Sequence, residues 1–156
     1  LGTPKEIYDT PANVFVATFM GSPAMNVMPA RVVVQGGVPH AAVTDYDGVE
    51  QFLAFSQPNL AAWDGRKILL GIRPETITDP DGADRKSSNI QTMRNHIGVT
   101  EPAGSDTFVT MTLGGQDAIA RMRADVTVTA GEIFDFAVNM EKAVAFDPET
   151  EERIEP

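Results

Sequence analysis

The sequence predicts a mainly β domain, a barrel or a sandwich, preceded by a short helical segment. After residue 22, short runs rich in β-branched residues recur at roughly 8–12-residue spacing, with turn signals and no helical patterns between them. Before that point, prolines and capping residues are placed as at helix starts. We therefore expect helix within residues 1–21 and the β domain over residues 22–156.

Two helix starts are visible in the first segment. Thr3 is placed to cap a first helix, with Pro4 at its first position and Glu6 three residues after the cap. Pro11 ends that helix, and Thr10 followed by Pro11 repeats the pattern of a cap and a proline. We expect the second helix to begin there.

The second helix is expected to carry an apolar face made of Val14, Phe15 and Phe19, and to end at Gly21. A helix this short needs a partner surface to cover such a face, and that surface can belong to a part of the protein outside this sequence. The face could fold back on the β domain or dock on a second copy of the chain, and we favour the second copy.

The β domain divides into short predicted strands and connecting segments. Gly114 and Gly115 are expected to form a hairpin turn, and residues 57–63 could form one helical turn. Residues 78–89 have the composition of a loop. The predicted strands cover residues 30–34, 38–44, 49–55, 67–72, 107–113, 117–123, 126–129, 133–138 and 143–146.

Composition excludes several functions. The chain has 156 residues, with 12 basic and 22 acidic side chains and a formal net charge of −10, which disfavours nucleic acid and anionic membrane surfaces as partners. It has no cysteine, which excludes disulfides and thiolate chemistry. No apolar run is long enough for direct membrane insertion. Because the sequence opens with Leu1 rather than Met, we interpret it as part of a longer protein.

Nucleotide and catalytic motifs are missing from the sequence. There is no phosphate-binding loop with its lysine and no nucleophile elbow. Residues 113–116 (Leu-Gly-Gly-Gln) resemble the tail of the ABC signature motif, but they lie between two predicted strands. We therefore expect no catalytic residue and no cofactor-binding residue in this chain.

Metal-binding patterns are equally weak. Residues 79–84 resemble a calcium loop, but glycine stands fourth rather than sixth, and Ile90 occupies the twelfth position, where a carboxylate is required. His40 and His96 have no ligand-like spacing and are expected to be surface or core residues. We expect no metal site.

One short motif stands out, formed by Gly71, Ile72, Arg73, Pro74 and Glu75 at the end of a predicted strand. The proline stops the strand and holds the preceding arginine extended. Arginine and glutamate would then point to the same side and could hold neighbouring loops. We interpret the motif as a structural or interdomain corner, with a ligand site as the alternative. For a corner, we expect loss of the arginine to cost about 1 kcal/mol.

Several segments together resemble a known family. Residues 2–9, 11–17 and 19–26 resemble the end of the nucleotide-binding domain in ATP-binding subunits of carbohydrate-type ABC importers, the family of the maltose and sn-glycerol-3-phosphate importer ATPases. The motif at residues 71–75 resembles the hallmark of the regulatory region that follows. Glu101 with residues 104–107, and residues 146–150 (Phe-Asp-Pro-Glu-Thr), resemble later family segments in the expected order. Ala103 departs from the family, which usually has a larger apolar residue there.

This resemblance implies a fold and a function. It implies an OB-like β-barrel of the TOBE type that regulates and dimerises the ATP-binding subunit of an importer for sugars or a related solute. ATP and Mg²⁺ would be bound by a preceding domain, so this chain alone would not be an enzyme. The implied partners are a second copy, membrane permease subunits and a regulatory protein, on the cytoplasmic side of the bacterial inner membrane.

Two other classes of function remain as alternatives. A small-ligand-binding barrel for an oxyanion or a sugar would share the fold, although the acidic surface disfavours anions. An OB-fold that binds nucleic acid would need a basic groove and exposed aromatic residues, and only 7% of the residues are aromatic.

Overall fold

The computed structural model describes residues 2–21 and 23–155, and it is mainly β, as predicted. The expected boundary between helical segment and β domain falls at Ser22, outside the described residues. The elements are α1 Pro4–Asp9, α2 Val14–Phe19, β1 Asn26–Gln35, β2 Val38–Thr44, β3 Glu50–Ala54, β4 Lys67–Ile72, β5 Ile77–Thr78, β6 Ile90–His96, β7 Thr100–Ala103, β8 Asp106–Leu113, β9 Gln116–Arg123, β10 Ile133–Asn139 and β11 Val144–Phe146.

The strands form three antiparallel sheets. Their strand orders are β11-β4-β1-β2-β3, β5-β10-β6 and β7-β8-β9. Within residues 2–21 and 23–155, four short 3-10 helices connect successive strands, and the one over Pro58–Trp63 confirms the helical turn expected there. One main core runs through all three sheets, and its largest fully buried side chains include Met28, Leu53, Leu70, Met93, Met111 and Phe136.

The first helix begins as the sequence predicts. The Thr3 hydroxyl accepts a hydrogen bond from the Glu6 amide at 3.2 Å, and Pro4 occupies the first turn. An ion pair of 2.7 Å joins Lys5 to Asp9 one turn later. These local contacts stabilise a helix that buries none of its own residues.

The predicted start of the second helix at Thr10 and Pro11 is wrong. Asn13 caps it instead, because its side-chain oxygen accepts from the Val16 amide at 2.9 Å. Asparagine is as good a cap as threonine, and it lies next to the first helical residue. Gly21 follows the helix with φ +98°, a left-handed conformation that suits its expected place at the helix end.

The hairpin of β8 and β9 confirms the predicted turn. Leu113 pairs with Gln116, and Gly114 and Gly115 between them have φ +65° and +77°. Such values are those of a two-residue turn, and glycine adopts them without steric cost. The four residues that resemble the ABC signature tail therefore belong to a hairpin and not to the start of a helix.

Two strand predictions need correction. Residues 126–129 are not a strand, because Val126 closes a turn onto the Arg123 carbonyl at 3.1 Å and the segment packs on the core without a strand partner. In contrast, β5, β6 and β7 are strands that the sequence did not lead us to predict, and Thr78 of β5 lies in the predicted loop. β6 presents exposed residues on one face and buries Met93 and Asn95 on the other.

Candidate functional site at the Arg73 corner

The motif at residues 71–75, which we name the Arg73 corner, ends strand β4 and continues into a 3-10 turn. Arg73 has φ −69° and ψ 144°, the extended geometry that a following proline favours. Pro74 begins the turn and is itself buried. The backbone thus directs the arginine side chain away from β4 and towards the two helices, as its contacts show.

Arg73 joins both helices to the β domain. Its Nη2 donates to the Tyr8 carbonyl at 2.8 Å, and its Nη1 donates to the carbonyls of Ala17 at 3.2 Å and Met20 at 2.6 Å. All three acceptors lie near helix C-termini, where carbonyls lack helical partners and carry partial negative charge. A single guanidinium therefore caps the ends of α1 and α2.

The charged Arg73 side chain makes these hydrogen bonds while it is almost completely buried. Only 3% of Arg73 is exposed, and burial lowers the pKa of its guanidinium. A buried cation needs hydrogen bonds to offset its lost hydration. The rigid fork of an arginine can reach several carbonyls at once, which the single ammonium of a lysine cannot do in the same geometry.

Tyr8 connects the arginine to the glutamate of the motif. Its ring centroid lies 3.9 Å from the Arg73 guanidinium carbon, and its hydroxyl donates to the Glu75 carboxylate. Burial, followed by that carboxylate, raises the pKa of Tyr8 to about 12. Arg73 and Glu75 thus bind the same residue of α1 from two sides.

Gly71 allows close approach on the outer side of β4. A Cβ there would lie 2.7 Å from the Met25 sulfur and 2.9 Å from both Val144 and Phe146. These three residues form a small apolar cluster with Ala17 of α2, which we name the second cluster. The glycine of the motif therefore leaves room for the packing of α2 on the β domain.

The apolar face expected on α2 is divided between two sides of the helix. Val14 packs on the second cluster, which corrects its assignment to a shared face with the phenylalanines. Phe15 and Phe19 point away, with 71% and 74% of their surface exposed, and their rings stack at 5.6 Å. Residues four apart share one helix face, so these rings form an exposed aromatic pair.

The remaining candidates have structural partners. His40 Nδ1 lies 2.8 Å from the Val38 carbonyl, and His96 Nε2 lies 3.0 Å from the Asp47 carboxylate. Within residues 79–84, Asp79 is 3% exposed at its side chain and pairs with Arg123 at 2.9 Å. Over residues 2–21 and 23–155, no group of three or more potential metal ligands occurs.

Sequence reasoning located the Arg73 corner but missed what it binds. Tyr8 is the key omission, since nothing in its local pattern distinguishes it from any helical aromatic residue. Its place in a segment that resembles the family was the available signal. Within the described part of the chain, no helix is both long and apolar enough to cross a membrane.

Comparison with a solved structure supports the fold class. The cytoplasmic molybdate-binding protein ModG superposes with a TM-score of 0.53 over 79% of this chain and 96% of that chain. The sequence identity is 15%, so this similarity concerns the fold alone. Residues 21–77 match the family description "MalK OB fold domain". The chain thus consists of a short helical segment followed by an OB-fold domain, and the predicted fold class is confirmed.

Curated relatives identify the family. The chain is 35% identical over 156 residues to the oligosaccharides import ATP-binding protein MsmX of Bacillus subtilis, covering 99% of this chain and 41% of that protein. It is 36% identical to the sn-glycerol-3-phosphate import ATP-binding protein UgpC of Chromobacterium violaceum, covering 99% and 38%. The trehalose/maltose import ATP-binding protein MalK of Thermococcus litoralis is 32% identical, covering 96% and 40%.

By fold and by sequence, residues 21–77 belong to a MalK-type OB-fold domain, and almost the whole chain is similar to import ATP-binding proteins for sugars and sn-glycerol-3-phosphate. The resemblance found from its motifs is confirmed. The chain spans about two fifths of the length of these relatives, which are 41%, 38% and 40% covered.

Proposed function

We propose that the chain is the regulatory and dimerising region of the ATP-binding subunit of an ABC importer for sugars or a related solute. Similarity to importer ATP-binding proteins over 99% of the chain supports this role. Parts of the subunit outside this chain would bind ATP and Mg²⁺ and hydrolyse ATP. Permease subunits and a regulatory protein would be partners, with the subunit on the cytoplasmic side of the inner membrane.

The lack of a phosphate-binding loop gives this proposal its first test. With no such loop in the sequence, the chain should neither bind nor hydrolyse ATP by itself. Titration with a fluorescent nucleotide should give no saturable signal at micromolar concentrations. Saturable binding would contradict the proposal that ATP is bound only by parts of the subunit outside this chain.

The exposed aromatic pair is the observation that carries the dimerising role. Phe15 and Phe19 are 71% and 74% exposed, on a helix that Arg73 holds against the β domain. Burying a phenylalanine stabilises a complex by roughly 1.5–3 kcal/mol relative to exposure. A second copy offers the same pair, so a two-fold contact can stack one pair on the other.

Light scattering over a concentration series tests this contact. We expect the chain to dimerise as its concentration rises and the Phe15→Ser/Phe19→Ser variant to stay monomeric. Val99→Ser/Ile133→Ser is the matched control, because these residues are 64% and 57% exposed elsewhere on the surface, and it should dimerise normally. A chain that is monomeric at every concentration would refute the dimer.

Substitution is a cleaner test than deletion of the helical segment. Removing the segment would also expose the second cluster, where Phe146 is 0% and Met25 is 4% exposed. New apolar surface of that kind could itself drive association. A dimer that survives the double serine substitution would place the contact on the barrel instead.

Small-ligand binding is the second candidate function, and a cleft favours it. The cleft has a volume of about 230 Å³ beside Glu75, and Asp84, Asn139 and Lys142 also line it. Two carboxylates and one ammonium suit the hydroxyls of a neutral sugar better than an oxyanion. Equilibrium dialysis against maltose, molybdate, sulfate and phosphate tests this function. If the chain retains none of these ligands, the small-ligand function is refuted.

A further inference from the structure

The segment after β11 makes a reverse turn whose shape is set by its own side chains. The Asp147 amide donates to the Glu152 carbonyl at 2.9 Å, and the Glu151 amide donates back to the Asp147 carbonyl at 2.7 Å. The Asp147 carboxylate accepts from the Glu149 amide at 2.8 Å. The Thr150 hydroxyl accepts from the Glu152 amide at 3.2 Å. The aspartate and threonine of the Phe-Asp-Pro-Glu-Thr segment therefore both stabilise the turn.

The turn contains an unusual backbone conformation. Glu151 has φ +61° and is the only non-glycine residue with positive φ among residues 2–21 and 23–155. This left-handed region is disfavoured for residues with a Cβ, so surrounding contacts must maintain it. The conformation allows the chain to reverse and return along β11, where the Ile154 amide donates to the Ala145 carbonyl at 2.8 Å.

The returning segment pairs with the loop between the two helices. The Val14 amide donates to the Glu151 carbonyl at 2.9 Å, and the Arg153 amide donates to the Ala12 carbonyl at 2.8 Å. Asn13 and Glu152 form an isolated antiparallel bridge between these bonds. The Val14 amide is one of the first amides of α2, which have no acceptor inside the helix.

Arg153 adds a side-chain contact to this pairing. Its Nη1 donates to the carbonyls of Thr10 and Pro11, the second at 3.2 Å, and Nη2 pairs with Glu155 at 3.0 Å. Only 19% of its side chain is exposed. Arg153 thus binds the loop before α2, whereas Arg73 binds the carbonyls at its other end.

We propose that residues 147–155 form a strap that positions α2 on the β domain, with Arg153 as its positioning residue. The strap holds the N-terminal end of α2 and the Arg73 corner holds the C-terminal end. The direction in which α2 presents its aromatic pair therefore depends on both the strap and the Arg73 corner. Release of the strap would free one end of α2 while the barrel stays folded.

A thiol reporter tests the strap directly, because the chain has no cysteine of its own. Ala17→Cys places a thiol under α2, where Ala17 is 0% exposed, and Ala118→Cys places another within β9, where Ala118 is also 0% exposed. The rate of labelling by a thiol reagent then measures local opening at each position. Labelling at a low protein concentration, at which scattering shows monomers, makes the result independent of the dimer proposed above.

Arg153→Ala should accelerate labelling at the Ala17 position by at least about tenfold and leave the Ala118 position unchanged. Arg31→Ala is the control, because it removes an arginine whose ion pair, with Glu50 at 3.0 Å, includes no residue of α2 or of the strap, and it should change neither rate. Equal rates in Arg153→Ala and the parent reporter would refute the strap. Equal acceleration at both positions would also refute it, by showing a loss of global stability.

Arg153→Lys covers the case in which the alanine variant does not fold. It keeps the charge but lacks the planar fork that reaches two carbonyls. We expect the lysine variant to label at the Ala17 position faster than the parent and at an unchanged rate at Ala118. An unchanged rate at Ala17 would show that the fork of Arg153 does not position the helix.

Discussion

The Arg73 guanidinium packs on the ring of Tyr8 at 3.9 Å and also donates to the carbonyl of the same residue at 2.8 Å. The Tyr8 hydroxyl in turn donates to Glu75, two residues after the arginine. One residue of α1 is therefore bound through its ring, its backbone and its hydroxyl by a single five-residue motif. In this structure the motif at residues 71–75 therefore attaches α1 to the β domain.

Stability at alkaline pH should depend on Tyr8. Its pKa is raised from 10.0 to about 12, so the native state keeps a proton that the unfolded state releases between these pH values. The contribution of this proton to the free energy of unfolding is complete below about pH 10 and is lost as pH rises towards 12. Urea unfolding from pH 9 to 12 should show this loss in the parent chain and a smaller one in Tyr8→Phe.

Tyr46→Phe is the control, since Tyr46 is the only other tyrosine and is 61% exposed. It should retain the full alkaline loss of the parent. If Tyr8→Phe loses as much free energy of unfolding between pH 10 and 12 as the parent does, the contact with Glu75 does not hold the tyrosine proton.

Gly71→Ala should destabilise the packing of α2. The added methyl group would lie 2.7 Å from the Met25 sulfur and 2.9 Å from Val144 and Phe146. Overpacking of this kind costs about 1–3 kcal/mol of the free energy of unfolding. Because Val144→Ala makes room beside it, the double variant should lose less than the sum of the two single losses in urea unfolding. Strict additivity would show that the methyl group does not contact Val144.

Asp79→Asn should weaken the link between β5 and β9. Burial raises the pKa of Asp79, but hydrogen bonds from the Arg123 side chain and amide outweigh burial and lower it overall. Replacing this buried carboxylate should cost about 1.5–3 kcal/mol at neutral pH. The native pKa of Asp79 is below 3.8. The ion pair therefore contributes to the free energy of unfolding above pH 3.8, and this contribution is lost as pH falls through the native pKa.

Asp81→Asn is the matched control for this ion pair. Its side chain is 87% exposed and lies 4.0 Å from Arg123, so its loss should cost less than about 0.5 kcal/mol. Urea unfolding at pH 7 and pH 3 compares the two variants. An Asp79→Asn variant as stable as Asp81→Asn at pH 7 would contradict the role of the buried pair.

Local sequence patterns predicted the parts of the fold that local physics determines. The Thr3 cap, the extended Arg73 and the Gly114 turn each follow from a few neighbouring residues, and the structure has all three. Val126 shows the limit, because its β-branched neighbourhood suits a strand, but no strand among residues 2–21 and 23–155 pairs with it. Strand β6 is the reverse case, since its pairing with β10 comes from residues about 40 positions away, such as Arg94 with Asp135.

The candidate site shows the same limit. The sequence indicated that Arg73 and Glu75 hold neighbouring loops, but the acceptors of Arg73 lie 53 to 65 residues earlier in the chain. No local pattern names carbonyl oxygens as partners, because every residue has one. The strap is a similar case, since Arg153 reaches Thr10 across 143 residues.

Removal of the Arg73 side chain should cost more of the free energy of unfolding than the sequence alone suggested. A loss of about 1 kcal/mol assumed a partly exposed arginine, whereas Arg73 is 3% exposed and donates to three carbonyls. Hydrogen bonds that involve a charged group contribute about 1.5–3 kcal/mol each, and the carbonyls left behind would lose a buried partner. The loss should fall first on the helical segment.

Native-state amide hydrogen exchange of Arg73→Ala tests most directly whether the Arg73 corner holds the helices on the β domain. The amides of Ala17 and Met20 donate to the backbone carbonyls of Asn13 and Val16. These are hydrogen bonds of the α2 turns, so the two amides report on the helix. We predict that they exchange at least about tenfold faster in Arg73→Ala, while amides of β8 and β9 keep their parent rates. Unchanged exchange in α2, or equal acceleration throughout the barrel, would contradict the account.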